Sequence, residues 1–218
     1  MAPGVRKLVG TDDSLMMLVQ ANYTEASGNM DTPITILGIA GSLRRGSYNR
    51  AALRVAQQLV PAGARLEAVE IGELPPYNQD LETAAPPVVA DLKRRIRGAD
   101  AVLFATPEYN YSVPGVLKNA IDWASRPYGD SAWDGKPAGI MGASGGAVAT
   151  ARAQYHLRQI LVYLNMPALP QPEVLIGSAH EKFDQNGNLT DDPTRERIRQ
   201  MLEALVRWTL QLRRDLPD

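Results

Sequence analysis

Three continuously apolar runs constrain this chain more than any other feature. They are "ITILGIA" at 34–40, "AVLFATP" at 101–107 and "AGIMGAS" at 138–144, and each runs straight into glycine, serine or proline. A run this short, apolar on both faces and closed by turn residues, reads as a strand covered on both sides. The segments between them change period. Ala52, Leu53, Ala56, Leu59 and Val60 recur at helical spacing, as do Val88, Val89, Leu92 and Ile96, and then Leu157, Ile160, Leu161 and Leu164. "RLEAVEI" at 65–71 alternates and reads as a further strand, and "YNQDLETAAPP" reads as a loop. One helix is expected to open at Pro114, since proline suits the first helical position.

"LPQPEVLI" at 169–176 reads as a fifth strand. Its prolines cannot donate ladder hydrogen bonds, so it belongs at a sheet edge. A last helix is expected to begin at Asp192-Pro193, the aspartate as cap, with Ile198, Met201, Leu202, Leu205, Val206, Trp208 and Leu212 as its apolar residues. Strands alternating with helices imply an α/β fold: a five-stranded parallel sheet with helices on both faces. Right-handed crossovers leave few topologies. In one common solution the strand order is 2-1-3-4-5, and ligands bind beyond the carboxyl ends of the strands, at the switch point between strands 1 and 3. Residues 1–32 carry no sustained period and read as a mobile N-terminal extension before a single domain at 33–218.

Composition removes several chemistries. There is no cysteine, which excludes thiolate nucleophiles, disulfides and cysteine-held metals, and only two histidines occur, His156 and His180. A formal net charge of -1 argues against a nucleic-acid binder. No apolar run approaches the roughly 20 residues that span a bilayer, and no secretory signal is apparent, so the expectation is a cytoplasmic protein. "DQNGNLTDDPTR" is a poor calcium loop, with Leu189 and Arg195 where glycine and glutamate are needed. His156 reads as a packed or surface histidine, and "RRIR" at 94–97 as a solvated helix face. Arg126 and Tyr128, after the third helix, are candidates for contact with a partner subunit.

The switch-point rule predicts unusual chemistry in the loops after strands 1, 3 and 4. After strand 1 comes "GSLRRGSYN" at 41–49. Its glycines admit close backbone approach, Ser42, Ser47 and Asn49 are donors, and Arg44 carries charge beside a helix N-terminus, which favours anions. A triphosphate loop needs lysine where Ser47 stands, and a dinucleotide fingerprint needs a G-x-G that is missing. A monophosphate cradle remains, beside the plainer reading of a turn capped by Ser47. After strand 3, "TPEYNYSVPG" at 106–115 offers aromatic faces and amides for a flat, heteroatom-rich ring, or is a proline-punctuated turn. After strand 4, "GASGGAVA" at 142–149 lets backbone pass close to a ligand edge, or is helix entry.

"GSLRRGSYN" resembles the G-S-x-R-x-x-S-x-N phosphate loop of the NADPH-dependent FMN reductase family. "PEYNYS" at 107–112 resembles that family's P-E-Y-N-x-S loop, and "GVLKNAIDW" at 115–123 the helix that follows it. The resemblance runs from about residue 34 to the turn at 184–192, and the extension before it is a departure. It implies a flavodoxin-like three-layer sandwich holding FMN, with NADPH or NADH as donor. Ser42, Arg44, Ser47, Tyr48 and Asn49 would hold the phosphate, Pro107, Glu108, Tyr109 and Asn110 would border the isoalloxazine, and Ser144 and Gly145 would meet its far edge. It further implies ping-pong transfer to a quinone, chromate, azo compound or free flavin, in a homodimer or homotetramer. No side-chain catalyst is needed, because the cofactor carries the chemistry. A flavodoxin-like electron carrier without NAD(P)H turnover is the alternative, and a receiver-type regulatory domain a third reading.

Overall fold

The computed structural model describes residues 33–214, so the expected extension at 1–32 lies outside the described residues. Five parallel strands form one sheet: β1 Ile34–Ala40, β2 Ala64–Val69, β3 Ala101–Ala105, β4 Ala138–Ala143 and β5 Val174–Ile176. Their order is β2-β1-β3-β4-β5, as the crossover argument predicts. The helices are α1 Tyr48–Leu59, α2 Pro87–Gly98, α3 Gly115–Ala124, α4 Ala151–Tyr163, the short α5 Ala179–Lys182 and α6 Asp192–Arg214.

Side-chain alternation sorts the strands onto two faces. Ile34 and Ile36 of β1 pack with α1 and α6, alongside Leu103 and Met141. Leu37 and Ile39 face the other way, toward α2, α3 and α4, with Phe104 and Ile140. The first face is lined by small residues where helices press closest. A Cβ on Gly38 would stand 2.7 Å from Leu53 Cδ1 of α1, and one on Gly139 would stand 3.0 Å from Leu205 Cδ2 of α6. The second face takes the bulk. Trp123 and Trp133 are fully buried there, and both indole N–H groups are satisfied, on the carbonyls of Pro75 (2.8 Å) and Ile121 (3.0 Å). Burying those rings without acceptors would forfeit much of what their area contributes.

β2, β3 and β4 end one or two residues earlier than expected, and three other boundaries shift for reasons visible in the hydrogen bonds. β5 is confined to Val174–Ile176 rather than 169–176. Leu169 N–H still donates to the Ala138 carbonyl at 2.8 Å, but Pro170 and Pro172 have no N–H, so the ladder lapses until Val174. Pro114 is the cap of α3 rather than its first residue, in extended conformation, its carbonyl accepting from Leu117 and Lys118. At α6 the cap is Asp191, not Asp192: its carboxylate accepts from Thr194 N–H at 2.9 Å. The segment expected as a loop contains a 3-10 turn over Gln79–Ala84. Among the described residues no helix is long and apolar enough to cross a membrane.

Candidate active site

The loops after β1, β3 and β4 meet at one rim, at the carboxyl ends of the strands. The first touches the second directly, since a Cβ on Gly41 would come 3.0 Å from Pro114 Cγ and 3.2 Å from Pro107 Cδ. Asn49 ties the first to the third. Its Nδ2 donates to the Ala143 carbonyl and its Oδ1 accepts from Ala143 N–H, both at 2.8 Å and both buried. The physical reason lies in the register. β3 pairs with β4 only as far as Ala105 opposite Met141, so Ala143 has no strand partner on that side. The Asn49 amide takes the place of the missing peptide.

The first loop is built to present main-chain donors. Gly41 N–H closes onto Ala105, and Ser47 N–H turns back to the Arg44 carbonyl at 3.1 Å. Ser47 caps α1 by accepting from Arg50 N–H. Among the described residues nothing accepts from the N–H groups of Ser42, Leu43, Arg44, Tyr48 or Asn49, nor pairs with the Ser42 hydroxyl, although Ser42 is only 5 % exposed. Arg44 is exposed, makes no ion pair among the described residues, and lies 5.6 Å from the centroid of the Tyr48 ring, which packs on Phe183. Free N–H groups at a helix N-terminus beside an uncommitted arginine form a site for a phosphate-sized anion. The Asn49 amide is committed to Ala143, while its main-chain N–H has no acceptor among the described residues.

The second loop is a tight turn under strain. Tyr109 and Ser112 exchange both main-chain hydrogen bonds at 3.0 Å, which places Asn110 at φ 51° and Tyr111 at φ 67°. Two consecutive non-glycine residues in the left-handed region are costly, and such strain concentrates at functional sites. Helix α4 holds the turn in place. Glu108, whose side chain is 5 % exposed, pairs with Arg152 and accepts from Ala153 N–H at 3.1 Å. The Arg152 guanidinium lies 3.7 Å from the centroid of the Tyr111 ring, and His156 Nδ1 lies 3.0 Å from Ser112 Oγ. The Glu108 carboxylate is therefore committed to α4. Tyr109, 52 % exposed, and Asn110 are left open at the turn's tip, with Pro107 buried at its root.

In the third loop the Ser144 hydroxyl donates to the Ala149 carbonyl at 2.9 Å and accepts from Gly146 N–H at 3.2 Å. Its side chain therefore shapes the turn, and Gly145 is the residue with open space around it. Gly142 is required for a different reason. A Cβ there would collide with Thr150 Oγ1 and the Thr106 carbonyl.

Residues 34–181 match the family described as NADPH-dependent FMN reductase. The chain belongs to that family. It is an FMN-dependent NAD(P)H oxidoreductase, as the motif resemblance implied. The chain is 56% identical over 185 residues to an NAD(P)H-dependent FMN reductase of Pseudomonas aeruginosa, covering 84% of this chain and 100% of that one. It is 46% identical over 180 residues to a quinone reductase of Pseudomonas putida, covering 82% and 96%. Among solved structures, the flavoenzyme NAD(P)H:(acceptor) oxidoreductase FerB from Paracoccus denitrificans superposes with a TM-score of 0.76 at 40% identity, over 82% of this chain and 98% of that one.

Within this FMN reductase fold, the helix motif "GVLKNAIDW" has a role that motif matching leaves unstated. Asn119 accepts from Tyr77 N–H at 2.7 Å and donates to the Pro75 carbonyl at 2.9 Å, where Trp123 also donates. These side chains pin the loop after β2 to α3. Arg152 and His156, which brace the strained turn, were likewise not singled out for the site. Their only sequence signal is spacing of one helical turn on α4, which acquires meaning once α4 lies against the second loop.

Proposed function

We propose that the rim holds FMN with its phosphate in the first loop, against the N–H groups of Ser42, Leu43, Arg44, Tyr48 and Asn49, the hydroxyls of Ser42 and Ser47, and Arg44. The flat ring lies between the turn at Pro107–Asn110 and the Ser144–Gly145 backbone. The observation that carries this reading is the set of unpartnered main-chain donors at the N-terminus of α1, on the same rim as the strained turn. Bound there, FMN supplies the two-electron chemistry between NAD(P)H and an acceptor. The chain's own groups bind and orient: Glu108, Arg152 and His156 fix the turn, Asn49 fixes the spacing of the first and third loops, and Gly142 keeps β4 close to Thr106.

The acceptor is a quinone or a similarly flat small molecule, a reading supported by the quinone reductase names among the relatives. Donor and acceptor use the same open face in turn, a ping-pong order. Tyr109, Tyr111 and Tyr155, each more than half exposed beside the rim, support a homo-oligomer in which a second copy packs at this end. The site of action is the cytoplasm. Initial rates with NADPH and a benzoquinone, varied together, test the order: parallel double-reciprocal lines are expected, and intersecting lines refute a shared face.

A further inference from the structure

A second set of observations lies at the opposite end of the sheet. Helix α3 starts at the rim and ends at Ala124, about 15 Å away at 1.5 Å per residue. Just beyond its end stands Arg126, half-buried. Other buried or half-buried cations, Arg195 apart, have acceptors among the described residues. Lys93 pairs with Asp130, and Arg152, whose Nε is likewise left without a partner, pairs with Glu108; Lys136 donates to the carbonyls of Arg97 and Ala99, and Arg158 donates to that of Leu169. Among the described residues no carboxylate or carbonyl accepts from the Arg126 side chain, and its Nε is buried without a partner. Its guanidinium is stacked 3.9 Å from the centroid of the Tyr128 ring. A donor buried without an acceptor is unfavourable, so such a group calls for an occupant.

The space beside it suits one. A cavity of about 410 Å3 is lined by Arg126, Tyr128, Ser131, Asp134, Tyr163 and Asn165, within the range of small-molecule sites. We infer that this cavity is a binding site for an aromatic monocarboxylate, its carboxylate on Arg126 and its ring between Tyr128 and Tyr163. A planar guanidinium pairs a carboxylate through two parallel hydrogen bonds, and two exposed tyrosine faces suit a flat ring. Asp134, already accepting from Asn165 Nδ2 at 3.0 Å, adds a negative charge to the lining. That charge disfavours a dianion or a phosphate ester and favours a ring bearing a hydroxyl. The site shares no residue with the proposed flavin rim and does not depend on it.

The test is calorimetric titration of flavin-loaded enzyme with 4-hydroxybenzoate. Expected are one site per chain, affinity at least tenfold weaker in Arg126→Gln and severalfold weaker in Tyr163→Ala, and unchanged flavin content and NADPH–quinone turnover in both variants. Should Arg126→Gln fold poorly, Tyr163→Ala, altered at a residue 74 % exposed, keeps the test decisive. Absence of binding, undiminished affinity in the variants, or displacement of the acid by quinone overturns the inference. So does loss of the oligomer in Arg126→Gln with no acid binding to wild type, because the carboxylate would then come from a second copy.

Discussion

Replacing Asn49 by alanine separates two roles that its position in a phosphate-loop motif confounds. The side chain is 3 % exposed and makes two 2.8 Å hydrogen bonds to the main chain of Ala143, 94 residues away. Truncation removes both and leaves the Ala143 N–H and carbonyl without partners. Each hydrogen bond is worth about 0.5–1.5 kcal/mol net, and each buried orphan costs about 1–3 kcal/mol. The lost bonds and the orphans describe the same two interactions, so the terms do not add, and the total is about 2–4 kcal/mol. For a domain of this size that lowers Tm by roughly 5–15 °C. The assay is thermal unfolding of the apoprotein together with fluorescence titration by FMN and by riboflavin, which lacks the phosphate. A strut that sets the spacing of two loops predicts a lower apoprotein Tm and at least tenfold weaker binding of both flavins. A phosphate donor predicts weaker FMN, unchanged riboflavin and unchanged apoprotein. An apoprotein Tm within about 1 °C of wild type refutes the reasoning.

Three further outcomes follow from the same geometry. Arg44→Ala with Ser47→Ala yields a folded chain, about 1 kcal/mol less stable for the lost cap, that releases its flavin on dialysis; retention of the yellow colour contradicts the assignment of this loop. Gly142→Ala drives a Cβ into Thr150 Oγ1 and the Thr106 carbonyl, and a soluble variant with wild-type Tm would show that β4 has slack it is not expected to have. The hydrogen bond from Lys93, with the nearby charges of Lys93 and Arg97, holds the Asp130 carboxyl below its ordinary value. A depressed carboxylate contributes stability above its unfolded pKa of about 3.9, and that contribution is lost as pH falls through the folded value. Asp130→Asn should thus lower the urea midpoint at pH 7, with the gap to wild type closing at pH 3.

The architecture was legible in the chain because its signals are local. Apolar runs such as "ITILGIA" and "AVLFATP" state by composition that both faces are covered, and helical spacing in 52–60 or 157–164 states which face of each helix is buried. The parallel order followed from crossover handedness, and the missing lysine in "GSLRRGSYN" removed the triphosphate reading without coordinates. Boundaries at 169–173, Pro114 and Asp191 shifted because a single hydrogen-bond acceptor decides where an element starts, and one residue either way leaves the pattern unchanged.

What individual side chains do in the candidate site was a matter for tertiary structure. Asn49, Glu108 and Ser144 sit inside motifs that suggest ligand contact, yet their polar atoms are committed to Ala143, to Arg152 with Ala153, and to the 144–149 turn. The partners of Asn49 and Glu108 lie 94 and 45 residues away, so no spacing rule encodes them, whereas Ser144 closes on its own turn. The sequence supplies donors and acceptors at the rim. Only the packing of α1 and α4 against the strand ends determines which of them are already paired and which remain free for a ligand.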